Sequence, residues 1–166
     1  MHRDLRGDPT RSTMSAEIAG VIAPPPLVYL LPLLLSLVVH WRFPSALLPH
    51  PWPFVVGPLL LLIGLLLGSP ALMAFRRAKT DPQPWRPSTA LVIEGPYRFT
   101  RNPMYVGFTL IYLGITCWVN SRWPLVALVI VLPVMHYLVI RREERYMERR
   151  FGDAYRAYRR RVRRWI

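Results

Sequence analysis

The sequence predicts an all-α membrane protein with about four transmembrane helices, joined to a cytoplasmic loop and a basic C-terminal helix. Three observations carry this. In 166 residues, 52% are hydrophobic while the formal charge is +13, a combination foreign to ordinary soluble domains. The apolar residues are gathered into four long runs. The charges are gathered between those runs on one side only, as shown below.

Taken in order, residues 1–20 form a polar N-terminal arm, and 21–166 a single transmembrane domain. The first apolar run is Leu27–Val39, reaching back towards Val21 through Pro24-Pro25-Pro26. Those prolines suit a helix start better than a helix interior. The second run, Pro53–Phe75, is the only one comfortably within the roughly 17–25 residues of a spanning helix. The third, Met104–Val119, and the fourth, Trp123–Ile140, are short; joined by Asn120-Ser121-Arg122, they read as a tight helical hairpin. Between the second and third runs, Arg76–Ser88 is Pro-rich and basic, a connector without regular structure. Thr89–Glu94 is a short apolar run, and Gly95-Pro96 marks a turn. From Arg141 onward the chain predicts a basic helix, with Met147, Phe151, Ala154, Tyr155, Tyr158 and Val162 as one apolar stripe and Gly152 as a candidate kink. The spacing of Gly64 with Gly68, and of Gly107 with Gly114, allows close helix–helix approach.

The charges set the expected topology. Of 22 Lys and Arg residues, only Arg42 and Arg122 fall in the first and third loops; the rest, and all nine acidic residues, lie in the arm, the middle loop and the tail. Four spans with both termini and the middle loop in the cytoplasm satisfy the positive-inside rule. The segment before Val21 is polar, so a cleavable signal peptide is not expected. The single cysteine, Cys117, lies within the third run, so neither an intrachain disulfide nor a cysteine metal site is expected.

The chemistry-bearing residues cluster at the cytoplasmic boundary. In Arg101-Asn102-Pro103, the residue before proline is pushed to extended geometry and the proline suits a first helical position. Asn102 therefore reads as the N-cap of the third span. The free N–H groups of that first turn, with Arg98 and Arg101, make a ready anion site. Alternatively, Asn-Pro merely starts a helix whose arginines anchor it to lipid head groups. Glu143-Glu144 follow the fourth run within one turn. They read either as a solvated face paired with arginines three and four residues away, or as carboxylates facing a cationic ligand. A positive subsite in the loop and a negative one in the tail would match a zwitterionic amino acid with an additional positive centre. His136, inside the fourth run, is weighed as a packing or hydrogen-bonding group. Trp85, Trp123 and Trp165 are read as interfacial anchors. The Arg-rich tail, attached directly to a span, points to anionic membrane lipids rather than nucleic acid.

These elements carry a resemblance. Gly95-Pro96-Tyr97-Arg98, then Arg101-Asn102-Pro103-Met104-Tyr105 with Gly107, then Glu143-Glu144, then Phe151-Gly152-Asp153-Ala154-Tyr155 with Tyr158 resemble the integral-membrane methyltransferases of the isoprenylcysteine carboxyl methyltransferase and phospholipid methyltransferase group. The resemblance covers residues 88–166, about half of the chain, and leaves the first two spans without a match. It implies S-adenosyl-L-methionine as the methyl donor, no metal, and a lipid-like or hydrophobic acceptor arriving from the bilayer. The loop and the basic helix then form the donor site. Donor contacts carried over are Thr89, Ala90, Leu91, Val92, Tyr97, Arg101, Asn102, Pro103, Met104, Tyr105 and Glu143. Asn102 replaces the more usual histidine, which points to the phospholipid-type branch or to uncharacterised bacterial-like members. Val139 stands where the isoprenylcysteine enzymes have a substrate-contacting arginine, leaving Arg141 and Arg142 as candidate acceptor contacts. Tyr105 and Glu144 are weak candidates for a proton-accepting group. The competing expectation is a non-catalytic membrane scaffold that binds anionic lipid or a partner through its basic tail.

Overall fold

The computed structural model describes residues 19–21 and 23–166; the N-terminal arm otherwise lies outside the described residues. Among the described residues five helices follow one another: α1 (Pro25–Arg42), α2 (Pro53–Arg77), α3 (Pro103–Trp118), α4 (Trp123–Val134) and α5 (Arg141–Arg161). A single 3₁₀ turn, Gly95–Arg98, precedes α3. One wide π turn, Met135–Ile140, joins α4 to α5 without a break. Among the described residues there is no β-strand, only a bridge between Thr100 and Arg163.

Proline starts these helices, as its fixed φ and missing N–H dictate. It occupies a first or second position in α1, α2, α3 and α4. The first run is helical from Pro25, so Val21 lies outside it. α1, α2 and the continuous Trp123–Arg161 unit are long and apolar enough to cross a membrane. α3 is shorter, with 16 residues, or about 24 Å at ~1.5 Å per residue. Leu35, Leu66 and Val129 are 67%, 65% and 72% exposed, on helices almost without charge. Such faces are stable only against hydrocarbon, so the chain is a membrane protein.

The helices alternate between two ends. At one end, Asn120 turns the chain with φ 55°. Its Oδ1 accepts from the backbone N–H of Leu47 and Leu48 at 2.9 and 2.7 Å, and its Nδ2 donates to the Leu48 carbonyl at 3.0 Å. This amide pins the α1–α2 loop onto the α3–α4 turn. Trp123, expected as an anchor, donates its Nε1–H to the Phe43 carbonyl at 2.7 Å here. At the other end lie the 78–102 connection, α5 and the chain terminus.

Two cores hold the molecule. Tyr29 and Leu33 of α1, Tyr105 and Tyr112 of α3, and Leu128 and Val131 of α4 form the first, continued by the π turn. The second sits at the connector end, where Ala71 of α2, Val92 and Tyr97 meet Tyr155 and Tyr158 of α5. The stripe expected on α5 is interrupted. Gly152 has φ 52°, a left-handed conformation that kinks the helix. Met147, Phe151 and Val162 still pack on the second core, but Ala154 is turned out to solvent.

α2 and α3 approach until their backbones touch. A Cβ on Gly64 would stand 2.9 Å from the Gly107 carbonyl oxygen, and one on Gly107 would stand 3.0 Å from the Gly64 carbonyl oxygen. A Cβ on Gly114 would stand 2.9 Å from the Gly57 carbonyl oxygen. Gly57 thus joins the seam, whereas a Cβ on Gly68 would meet open space. Gly64→Leu is expected to lower thermal stability in detergent by about 1–3 kcal/mol, the usual range of overpacking. Gly68→Ala should leave the unfolding midpoint unchanged or slightly raised, measured in the same detergent.

Candidate functional site

The 3₁₀ turn begins at Gly95, whose φ of 58° suits a residue without Cβ. The turn buries Tyr97 against the second core, and the Tyr158 hydroxyl of α5 locks it by donating to the Tyr97 carbonyl at 2.8 Å. Further along, Asn102 occupies the N-cap position of α3 but makes no side-chain cap. Its Nδ2 instead donates to the Arg164 carbonyl at 2.8 Å, which also accepts from the Thr100 hydroxyl at 3.1 Å. The Arg101 N–H donates to the Arg163 carbonyl at 2.9 Å. The chain terminus is therefore a strap laid beside the loop before α3. The expected cap fails because this neighbour, distant in sequence, offers the amide a better-placed acceptor.

Two carboxylates enter the same region from the first turn of α5. Glu143 Oε1 accepts from the Tyr105 hydroxyl at 2.6 Å. Burial is the main influence on the Glu143 carboxyl and pushes it up to about 7; the Tyr105 hydrogen bond opposes this and the Glu144 charge adds to it. Glu144 is buried and meets two guanidiniums. Arg164 forks onto it, with Nε 3.0 Å from Oε1 and Nη2 2.6 Å from Oε2. Arg101 Nη1 lies 2.8 Å from Oε1. That contact lacks hydrogen-bond alignment, and Arg101 Nε is buried without an acceptor among the described residues. The expectation that Glu144 pairs with arginines three or four residues away is thus corrected: burial beside the loop gives it partners from outside its own helix. Both its oxygens are engaged by guanidiniums.

These groups line a partly open cavity of about 100 Å³. Of the donor contacts expected from sequence, Leu91, Val92, Tyr97, Arg101, Asn102, Met104, Tyr105 and Glu143 line it. Thr89, Ala90 and Pro103 do not; Thr89 is exposed and Pro103 is packed at the start of α3. Arg98 faces outward, so the two arginines grouped with Asn102 separate, one to the cavity and one to solvent. Arg141 lies over the Tyr137 ring at 5.6 Å, and Arg142 donates to the Gly20 carbonyl at 2.8 Å; neither lines the cavity.

Sequence reasoning missed Tyr146, Tyr155 and Tyr158 as cavity residues, together with Phe75 and the connector Asp81–Pro84. The helical stripe contained Tyr155 and Tyr158, but a stripe reports burial and not what lies on its buried side. Burial pushes the Tyr155 hydroxyl up to about 12, with the Glu144 charge adding and Arg101 opposing. The Tyr97 hydroxyl is raised further, by burial first and then by Tyr158 and Glu143. Arg164, the strongest partner of Glu144, carried no local signal at all.

A second, larger space of about 570 Å³ lies between α3 and α4. Its walls are apolar, with Val106, Leu110, Leu132 and Pro133, and His136 and Trp165 lie at one end. Trp165, expected as a membrane anchor, instead stacks on His136 with ring centroids 6.5 Å apart. The Arg164 Nη1 stands 3.4 Å from His136 Nε2, so one guanidinium touches a wall residue of each space.

A raised carboxyl pKa makes a definite stability prediction. The native carboxyl at about 7 holds its proton more tightly than an ordinary one at 4.5. Its penalty is absent below pH 4.5, grows as pH rises, and is complete above about 7. Glu143→Gln removes it. The stability gained by that substitution should therefore increase between these limits and level off above, measured as the difference between the two unfolding midpoints across pH.

The phospholipid methyltransferase family model matches residues 52–154, which spans α2, the loop, α3, α4 and most of α5. An uncharacterized protein of Haemophilus influenzae (strain ATCC 51907 / DSM 11121 / KW20 / Rd) is 40% identical over 63 residues, covering 38% of this chain and 100% of that protein. No solved structure matches. Since the matched region holds more than half of the chain and most of the cavity wall, this chain belongs to the phospholipid methyltransferase family, a family of membrane methyltransferases.

Proposed function

We propose that the chain is an integral-membrane, S-adenosylmethionine-dependent methyltransferase for a lipid-like or small hydrophobic acceptor. Its four apolar helices cross the bilayer, with both termini and the 78–102 connection in the cytoplasm. The observation that carries the donor assignment is the pairing of opposite charges in one cavity. Arg101 presents N–H groups without a hydrogen-bond acceptor among the described residues, and Glu143 presents a carboxylate, on walls that include Phe75, Val92, Met104 and Tyr97. That set suits a ligand with a carboxylate, a cationic centre and an aromatic ring. When bound, such a donor supplies an electrophilic methyl whose C–S bond breaks as the acceptor's lone pair attacks in line.

The residues of the chain then have separate tasks. Arg101 takes the carboxylate, and Glu143, oriented by Tyr105, faces the positive centre. The apolar walls exclude water, which strengthens both contacts and aligns the reacting groups. The cavity is smaller than the roughly 300–1,000 Å³ of typical ligand sites. An adenosine-sized ligand therefore needs the Asp81–Pro84 and Ala19 wall to move outward. The apolar space between α3 and α4 suits the hydrocarbon part of an acceptor arriving from lipid. Arg141, over Tyr137 at its edge, is where a polar head would meet it. Exposed Arg145, Arg149 and Arg160 on α5 favour contact with anionic head groups, at about 1 kcal/mol each near the surface. A scaffold would use those same arginines, yet it gives no reason for a carboxylate buried in a cavity.

Calorimetry with S-adenosylmethionine on the detergent-purified protein tests the reading. Saturable binding is expected, with Glu143→Ala reducing it about tenfold or more, as for a lost charged contact. In the wild type the affinity should rise as pH passes upward through about 7, where Glu143 loses its proton, while Glu143→Gln should lack that step. A folded wild type that binds no donor would sink the methyltransferase reading for this site.

A further inference from the structure

On the wall of the donor cavity, the Glu144 carboxylate is shared by two arginines. Glu144 is buried between Arg101 and Arg164, so this trio keeps one net positive charge. The two arginines do not share it equally. Arg164 takes both oxygens in a fork. Arg101 has one unaligned contact, and its Nε and Nη1 have no hydrogen-bond acceptor among the described residues. Glu143 does not fill the gap: it accepts from Tyr105, and the ion pair of Arg101 is with Glu144. The Tyr155 hydroxyl also lies beside Arg101. A buried guanidinium left in that condition is costly unless an anion joins it.

We infer that Arg164 is a positioning residue: by occupying both oxygens of Glu144 it keeps the Arg101 guanidinium available for the carboxylate of a ligand in this cavity. The inference rests on the methyl-donor reading and adds what makes that site selective for a carboxylate. Without Arg164, nothing prevents Glu144 from taking Arg101 in the same fork, the preferred geometry of a guanidinium and a carboxylate. Arg101 would then be neutralised by its own protein and lost to the ligand. The strap is built to prevent this. The Arg164 carbonyl is held by Asn102 and Thr100, and the Arg163 carbonyl by the Arg101 N–H. Asn102, Thr100 and Arg163 thus fix the competing arginine beside Glu144, while the stacked Trp165 holds its far side on His136.

The test compares two ligands that share adenosine and a thioether and differ in the amino-acid end. S-adenosylhomocysteine carries a carboxylate; methylthioadenosine does not. Calorimetry is run on the full chain in detergent, as wild type, Arg164→Ala, and Arg164→Ala with Glu144→Gln. Arg164→Ala should weaken S-adenosylhomocysteine about tenfold or more, the scale of one charged hydrogen bond, and leave methylthioadenosine within about twofold. Adding Glu144→Gln should restore the lost affinity, because the competing charge is gone. Equal weakening of both ligands, or no restoration in a folded double variant, overturns the inference and leaves the donor site standing. If Arg164→Ala does not fold, Glu144→Gln alone decides: retained or tighter S-adenosylhomocysteine binding supports the inference, and lost binding overturns it. A wild type that binds neither ligand overturns the donor reading itself, and the inference with it.

Discussion

The buried carboxylate of Glu144 is the point where three separate parts of the chain meet. Arg101 comes from the loop before α3, Glu144 from the first turn of α5, and Arg164 from the terminal strap. Burying the charges of Arg101 and Glu144 is expensive, and such a group stabilises only weakly in net terms. Its consequence is geometric. None of the three positions can shift without stranding a charge, so the loop, the helix and the strap hold one arrangement. The cavity exists because that arrangement leaves space between Arg101, Glu143 and the tyrosines of α5.

The glycine seam of α2 and α3 supplies the platform. With Gly57 and Gly64 facing Gly114 and Gly107, the two helices pack by backbone contact. This is how helices associate where lipid removes the hydrophobic drive between them. It places the start of α3, and with it Tyr105, beside the end of α2 and Phe75. α4 belongs to the first core, and the apolar space opens between the first turns of α3 and the end of α4. The polar cavity and the apolar space then share one neighbour, the strap, through Arg164. In the proposed methyl transfer this adjacency would let a charged donor and an oily acceptor meet.

Much of this was legible because the signals are local. Long apolar runs, prolines at helix starts and a one-sided distribution of arginine identify a helical membrane protein without any tertiary information. Gly95-Pro96-Tyr97-Arg98 and Arg101-Asn102-Pro103-Met104-Tyr105 located the loop, and most of their residues line the cavity. Where local chemistry was asked for a partner, it failed. Asn102 has the right side chain for a cap, but its amide is drawn to the strap. Glu144 has Arg141 at helical spacing, yet its partners come from 43 residues before and 20 residues after. Ala154 fits the helical stripe, but the Gly152 kink rotates it outward.

By itself, then, the sequence determined the helices, the membrane character and the segments that carry the chemistry. Periodicity, propensity and charge bias act over a turn or two and survive without knowledge of the neighbours. Only the tertiary structure decided which of two adjacent glutamates meets Tyr105 through a single hydrogen bond and which is consumed by arginines. Glu143 and Glu144 are alike as residues. They differ because successive side chains on a helix point about 100° apart, so one meets Tyr105 while the other meets the strap.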